Sequence, residues 1–139
     1  MVEKRYVDVN VFVYWLGGHP EFGGRAREWV RRMESGRWGA FMTSALTLYE
    51  LVVMLAGLSG VSLRDSGFVR TIIEAVSSLS GLEVVGLEWR DFVEALGFMG
   101  RYGLDFEDSV HLAVMARRGV DRIVSNDADF DRTPFVREF

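Results

Sequence analysis

Apolar positions recur along this chain with two different periods. Short blocks rich in valine and aromatic residues, at 5–9, 39–42, 82–87 and 122–125, predict strands, and 135–136 predicts a short edge strand. Longer segments carry apolar residues three and four apart and predict helices. The first runs over 10–16 and ends at Gly17-Gly18. The second covers 24–35, with Ala26, Trp29, Val30 and Met33 as its apolar stripe. Thr43 or Ser44 caps a third, which reaches about Leu58. A fourth begins at Ser62 and continues through Phe68, Val69, Ile72, Ile73 and Val76. A fifth spans 89–102, with Phe92, Val93, Leu96 and Met99 on one face. The sixth, 106–118, ends at Gly119. Strands separated by helices predict an α/β domain with a central, mainly parallel sheet, occupying 1–139 as one domain. Such sheets bind ligands beyond the carboxyl ends of their strands.

Composition narrows the class. With 139 residues and 49% hydrophobic content, the chain supports a sizeable packed core. No apolar run reaches transmembrane length, so no membrane association is expected. The first residues enter a strand at once, without the pattern of a secretory signal. Cysteine is absent, which removes disulfides, thiolate metal sites and a cysteine nucleophile together. A cytoplasmic protein is the expectation. The formal charge of −4 argues against a simple nucleic-acid binder. It leaves room for an enzyme whose metal site holds several of the carboxylates.

Those carboxylates are distributed in a pointed way. Asp8 lies in the apolar stretch YVDVNVFVYWL, where a charge is costly unless paired or bound to a cation. It is either a site residue or the cap of the helix that starts beside it, and Asn10 is placed to hold it. Glu50 is the one charge between Arg37 and Arg64, on a helix apolar nearly all round. It belongs either to a site or to a solvated helix edge. Asp105, Glu107 and Asp108 open the sixth helix, where an N-cap and the helix dipole both favour negative charge. The site reading gives the cap to Asp105 and points Asp108 inward. Asp127, Asp129 and Asp131 alternate after the fourth strand. Asp127 is the best ligand candidate of the three, with Ser125 placed to orient it through its hydroxyl. His111, one turn beyond Asp108, is either a general base or, as its apolar neighbours favour, a core histidine bonded to a backbone group. A gathering of carboxylates needs a compensating cation, and oxygen-only ligands suit Mg2+ or Mn2+. Arg25, Arg27, Arg31 and Arg32 form either a phosphate-binding face or a solvated one. No GxxxxGK[ST], GxGxxG or GxSxG motif is present.

Taken in order, four motifs resemble the PIN-domain ribonucleases, in particular VapC-type toxins of toxin–antitoxin pairs. They are Asp8-Val9-Asn10 at a strand end; Thr43-Ser44 followed by Tyr49-Glu50-Leu51; Asp108-Ser109 leading into an apolar helix; and Ser125-Asn126-Asp127-Ala128-Asp129-Phe130 after a strand. The resemblance covers nearly the whole chain. It implies a PIN-like three-layer α/β/α fold with a sheet of four to five strands. It implies Mg2+- or Mn2+-dependent cleavage of RNA by Asp8, Glu50, Asp108 and Asp127, with Asp129 as an accessory ligand. Asn10 and Ser125 match supporting positions. A homodimer and a cognate antitoxin are implied as well. The alternative is a PIN-like RNA- or protein-binding module that has lost catalysis.

Overall fold

The computed structural model describes residues 3–139. Its elements are β1 (Arg5–Val7), α1 (Val9–Leu16), α2 (Gly23–Ser35), β2 (Phe41–Ser44), α3 (Ala45–Ser59), α4 (Ser66–Ser77), β3 (Leu82–Val85), α5 (Trp89–Tyr102), α6 (Phe106–Arg118), β4 (Arg122–Val124), a 3-10 turn (Ala128–Arg132) and β5 (Val136–Glu138). The five strands run in the order β3-β2-β1-β4-β5 and every neighbouring pair is parallel.

The sheet is buried on both faces, which is why its strands are short apolar blocks instead of alternating ones. Tyr6, Met42 and Ile123 pack with Leu112, Val114 and Met115 of α6. Their neighbours Val7, Phe41 and Val124 pack on the other face, with Phe12, Val30, Leu51 and Ile72 of α1, α2, α3 and α4. The result is three layers, with α5 and α6 forming one outer layer and α1–α4 the other. Among the described residues no helix is long and apolar enough to cross a membrane.

Several boundaries differ from the sequence expectation, each for a local reason. β1 stops at Val7 because Asp8 already caps α1, its carboxylate accepting from Val9 N at 2.8 Å. β2 begins at Phe41, since residues 37–40 close a turn through Ala40 N to Arg37 O at 3.0 Å. α4 begins at Ser66, not Ser62: the Ser62 hydroxyl serves a turn by accepting from Arg64 N, and Asp65 caps the helix by accepting from Phe68 N at 3.0 Å. β3 and β4 end at Val85 and Val124, short of Leu87 and Ser125, and the edge strand lies at 136–138. Gly81 enters β3 hard against the end of α2, where a Cβ would come within 2.4 Å of Met33 O.

The apolar stripe of α5 does not face the core. Phe92, Val93 and Leu96 are exposed and Met99 is half-buried, and it is Asp91 and Ala95 that turn inward. The helix is amphipathic as expected, but its inner face is anchored by a carboxylate.

Candidate metal and active site

Because all strands are parallel, their carboxyl ends lie at one edge of the sheet. β1 and β4 are neighbours there, so Asp8 and the Ser125–Asp127 segment meet. The backbone closes the junction, with Asp8 N donating to Val124 O at 3.0 Å. α3 leaves the same edge after β2 and carries Glu50 in its second turn. α6 begins above it from the opposite layer and carries Asp108 in its first turn.

Asp8 is only 4% exposed. Its Oδ2 accepts from Ser125 Oγ at 2.7 Å and from Asn10 Nδ2 at 3.2 Å. The Asn10 amide also donates to Ser125 Oγ, and its oxygen accepts from Asn126 N. All these donors are neutral. Burial therefore raises the Asp8 pKa, and the contacts with His111, Ser125 and Val9 offset it only in part. Ser125 acts differently from expectation. Its hydroxyl proton goes to Asp8, not Asp127, and toward Asp127 it is an acceptor for the backbone N–H at 3.0 Å.

Asp105 caps α6 by accepting from Asp108 N at 2.9 Å, leaving the Asp108 carboxylate for the interior side. Burial, then the charges of Asp105, Asp8 and Asp127, push its pKa up to about 8. The favourable helix dipole at this position is outweighed. Asp127 turns one oxygen to Asp129 N at 2.9 Å and opens the 3-10 turn. Carboxylate oxygens of Asp108, Asp127 and Asp129 lie within 4.8 Å of one another. Asp129 is exposed and also pairs with Arg132 at 3.0 Å. Asp131 pairs with Arg137 at 2.9 Å.

Glu50 does not sit on a solvated edge. Its Oε1 accepts from His111 Nε2 at 2.7 Å, and Glu107 stands close enough to affect its charge. Burial opposes the charge on Glu50, but the pairing with His111 and the nearness of Glu107 outweigh it and hold the group below its usual range. Glu107 takes the opposite shift, pushed up to about 7 by its nearness to Glu50. His111 is fully buried, as expected of a core residue, but its partners are side chains and not the backbone. Nδ1 meets Tyr6 Oη at 2.6 Å, and Tyr6 Oη donates to Ser44 Oγ at 2.8 Å. Burial works against a charge on His111, but Tyr6, Glu50 and Asp8 outweigh it and its pKa lies well above the usual value.

The structure thus brings Asp108, Asp127 and Asp129 within ligand distance of one another; Asp8, held by Asn10 and Ser125, is near enough for its charge to act on Asp108, and Glu50 near enough to act on Asp8, but neither joins that group. Among the described residues the group offers carboxylate oxygens only, and no lysine or arginine is bonded to Asp8, Glu50, Asp108 or Asp127, although His111 is bonded to Glu50. Both features fit a hard divalent cation. Sequence reasoning missed Tyr6 here, and it read Glu107 as a helix-start charge and His111 as a core residue without giving either a partner in the site. Tyr6 had a usable signal, since it precedes Asp8 by two and points to the same side of its strand. His111 lies one helical turn from Asp108.

The arginines of α2 divide. The Arg25 guanidinium stands 5.5 Å from the Phe139 ring, Phe139 packs on Tyr14, and Tyr14 Oη accepts from Asn126 Nδ2 at 3.2 Å. That path leads to the site. Arg32 stacks on Trp29 and reaches toward Phe41, at the amino end of β2 and away from it. Arg31 pairs with Glu28, and Arg27 is exposed.

Residues 5–136 match the PIN domain family. Ribonuclease VapC23 of Mycobacterium tuberculosis is 31% identical over 123 residues, 88% of this chain and 91% of that protein. Among solved structures, M. tuberculosis VapC20, described as a sarcin-ricin loop cleaving toxin, superposes with a TM-score of 0.75 at 20% identity. The match covers 96% of this chain and 97% of VapC20. A toxin–antitoxin complex from Klebsiella pneumoniae gives 0.67 at 15% identity, over 96% of this chain and 95% of that one. The sheet order, the layers and these matches agree: this chain belongs to the PIN-domain family.

Proposed function

We propose that this protein is a metal-dependent endoribonuclease, the toxin of a toxin–antitoxin pair. In this reading Asp8, Glu50, Asp108 and Asp127 hold Mg2+ or Mn2+, with Asp129 as an accessory ligand. The observation that carries it is the grouping of Asp108, Asp127 and Asp129 within 4.8 Å at one end of a parallel sheet, with the buried Asp8 close enough for its charge to act on Asp108. The identity to a protein named ribonuclease over most of the chain supports the same reading.

A bound cation supplies Lewis-acid polarisation of a phosphodiester and a more acidic water. The chain's own residues do the rest. Ser125 and Asn10 fix the Asp8 carboxylate, and His111 fixes that of Glu50. A carboxylate of the set takes the proton from the attacking water. Attack by water directly at phosphorus needs no covalent intermediate, which suits a chain without cysteine. Arg25 is the arginine best placed to meet substrate phosphate. The family resemblance extends the proposal to a cognate antitoxin.

The test is cleavage of total cellular RNA with and without Mg2+, followed by mapping of the ends. Asp8→Asn and Glu50→Gln are expected to abolish metal-dependent cleavage while the proteins still melt cooperatively. Full cleavage by folded Asp8→Asn protein in EDTA would remove the proposal. A homodimer is also part of it, because two apolar surfaces are uncovered: Tyr49, Met54 and Leu58 on α3, and Trp89, Val93 and Leu96 on α5. Light scattering at micromolar concentration is expected to return twice the 15.8 kDa chain mass, and a monomer mass would refute it.

A further inference from the structure

We infer that His111 and Tyr6 are positioning residues for Glu50, and that they set the affinity of the site for its cation. The inference rests on the reading of Glu50 as a ligand. The string Ser44 Oγ, Tyr6 Oη, His111, Glu50 is continuous, at 2.8, 2.6 and 2.7 Å. Ser44, Tyr6 and His111 are all 0% exposed. Water therefore does not compete for these bonds, and the imidazole is fixed at both nitrogens. Whatever the tautomer, a carboxylate oxygen accepts, so Nε2 is the donor to Glu50.

The geometry gives this string a task. Glu50 comes from α3 and Asp108 from α6, in layers on opposite faces of the sheet. His111 stands one turn beyond Asp108 on α6 and reaches across the sheet edge to Glu50. It therefore fixes the distance between two ligands that no shared element connects. Glu50 also has the longest side chain of the four, with the most rotamers to lose on binding. Holding Oε1 removes much of that freedom in advance. A histidine that merely filled the core would need neither a carboxylate on one nitrogen nor a phenol on the other. Partners of this kind in metal sites typically contribute about 10–100-fold in metal affinity or activity.

The experiment is calorimetric titration of Mn2+ into the full-length parent and into His111→Leu, His111→Gln, Tyr6→Phe and Glu50→Gln. Near-UV circular dichroism and a cooperative melt check the fold of each. The Mn2+ concentration for half-maximal cleavage of total cellular RNA is read in parallel. Glu50→Gln sets the floor. His111→Leu is expected to weaken Mn2+ binding by about 10–100-fold. His111→Gln should recover most of that loss, because its amide nitrogen reaches the place of Nε2. Tyr6→Phe, which removes one oxygen and no volume, should give a smaller loss in the same direction. It also carries the test if His111→Leu fails to fold. Folded His111→Leu binding Mn2+ like the parent, with Glu50→Gln weak, would overturn the inference and leave the reading of Glu50 standing. Glu50→Gln binding like the parent would overturn both. Equal losses in His111→Leu and His111→Gln would also overturn it, since the contact to Glu50 would then not be what matters.

Discussion

Asp8 and Asp91 occupy similar places and behave in opposite ways. Each stands where a strand gives way to a helix, each contributes to the start of that helix, and they are 4% and 1% exposed. Asp91 receives a guanidinium. Arg117 of α6 donates Nε to Oδ1 and Nη2 to Oδ2, both at 2.9 Å. Burial works to raise the Asp91 pKa, but that two-point pairing outweighs it and the group lies below its usual range. Asp8 receives only a hydroxyl, an amide and a backbone N–H, and its pKa is raised. The chain therefore supplies a cation where the carboxylate only ties α5 to α6. Asp8 receives neutral dipoles, which orient its charge without pairing it, and the His111 imidazole at the same sheet edge is bonded to Glu50 instead. The same residue type, equally buried, is finished in one place and left available in the other.

Breaking the finished pair should give the largest effect on folding. Arg117→Met is expected to lower stability by about 2 kcal/mol, because it leaves a covered carboxylate without its donors. The figure stays below the range for deeply buried pairs, since the Arg117 side chain is 24% exposed and partly screened. Urea denaturation measures it. The double variant Asp91→Leu/Arg117→Met should regain much of the loss, as removal of both partners leaves nothing unpaired. Cleavage of RNA by Arg117→Met below its melting transition should match the parent. An unchanged urea midpoint for Arg117→Met would mean that the two aspartates do not differ in the way described.

The layers and the order of the elements were legible from periodicity, because strands covered on both faces and helices covered on one leave different patterns. Two of the carboxylates were legible as charges out of place, Asp8 in an apolar strand end and Glu50 alone on an apolar helix, whereas Asp108 and Asp127 stood where acidic residues are common. Their company was not legible. Nothing local indicates that Glu50 meets His111, since the two lie 61 residues apart and on different layers. Glu107 was hidden by a sound competing explanation, as acidic residues belong in a first helical turn. Asp91 was invisible for the same reason: it completes a capping box with Glu88, and its second role depends on an arginine 26 residues away. The α5 stripe misled because periodicity reports amphipathicity and not which side faces in. The Ser62 boundary failed because a serine that closes a turn looks the same in sequence as one that caps a helix.

The smaller effect tests the unfinished side of the comparison, and it should have the opposite sign. Oxygens of Asp108, Asp127 and Asp129 lie no more than 4.8 Å apart. At that separation and an effective dielectric of about 20, one pair of full charges repels by about 3 kcal/mol, an upper bound that protonation and water reduce. In EDTA, Asp108→Asn should therefore be as stable as the parent or more stable by about 1 kcal/mol, and Mn2+ should stabilise it less. If Asp108 were only a helix-start residue, losing its charge would cost about 0.3–1 kcal/mol with or without metal. The pH dependence follows from the same shift. The Asp108 pKa is about 8 in the folded protein and near 4 in the unfolded chain. Between those values the folded state binds the extra proton. The contribution of Asp108 to metal-free stability is therefore fully present below about pH 4 and is lost as pH rises toward about 8. Mn2+ binds the deprotonated carboxylates, so it should flatten or reverse that fall, and Asp108→Asn should show a shallower one in EDTA. Thermal melts of both proteins from pH 5 to 8, with EDTA and with Mn2+, read all of this together. If the metal-free parent gains stability over that range while the variant melts below it, Asp108 belongs with Asp91 among the carboxylates the chain has already satisfied.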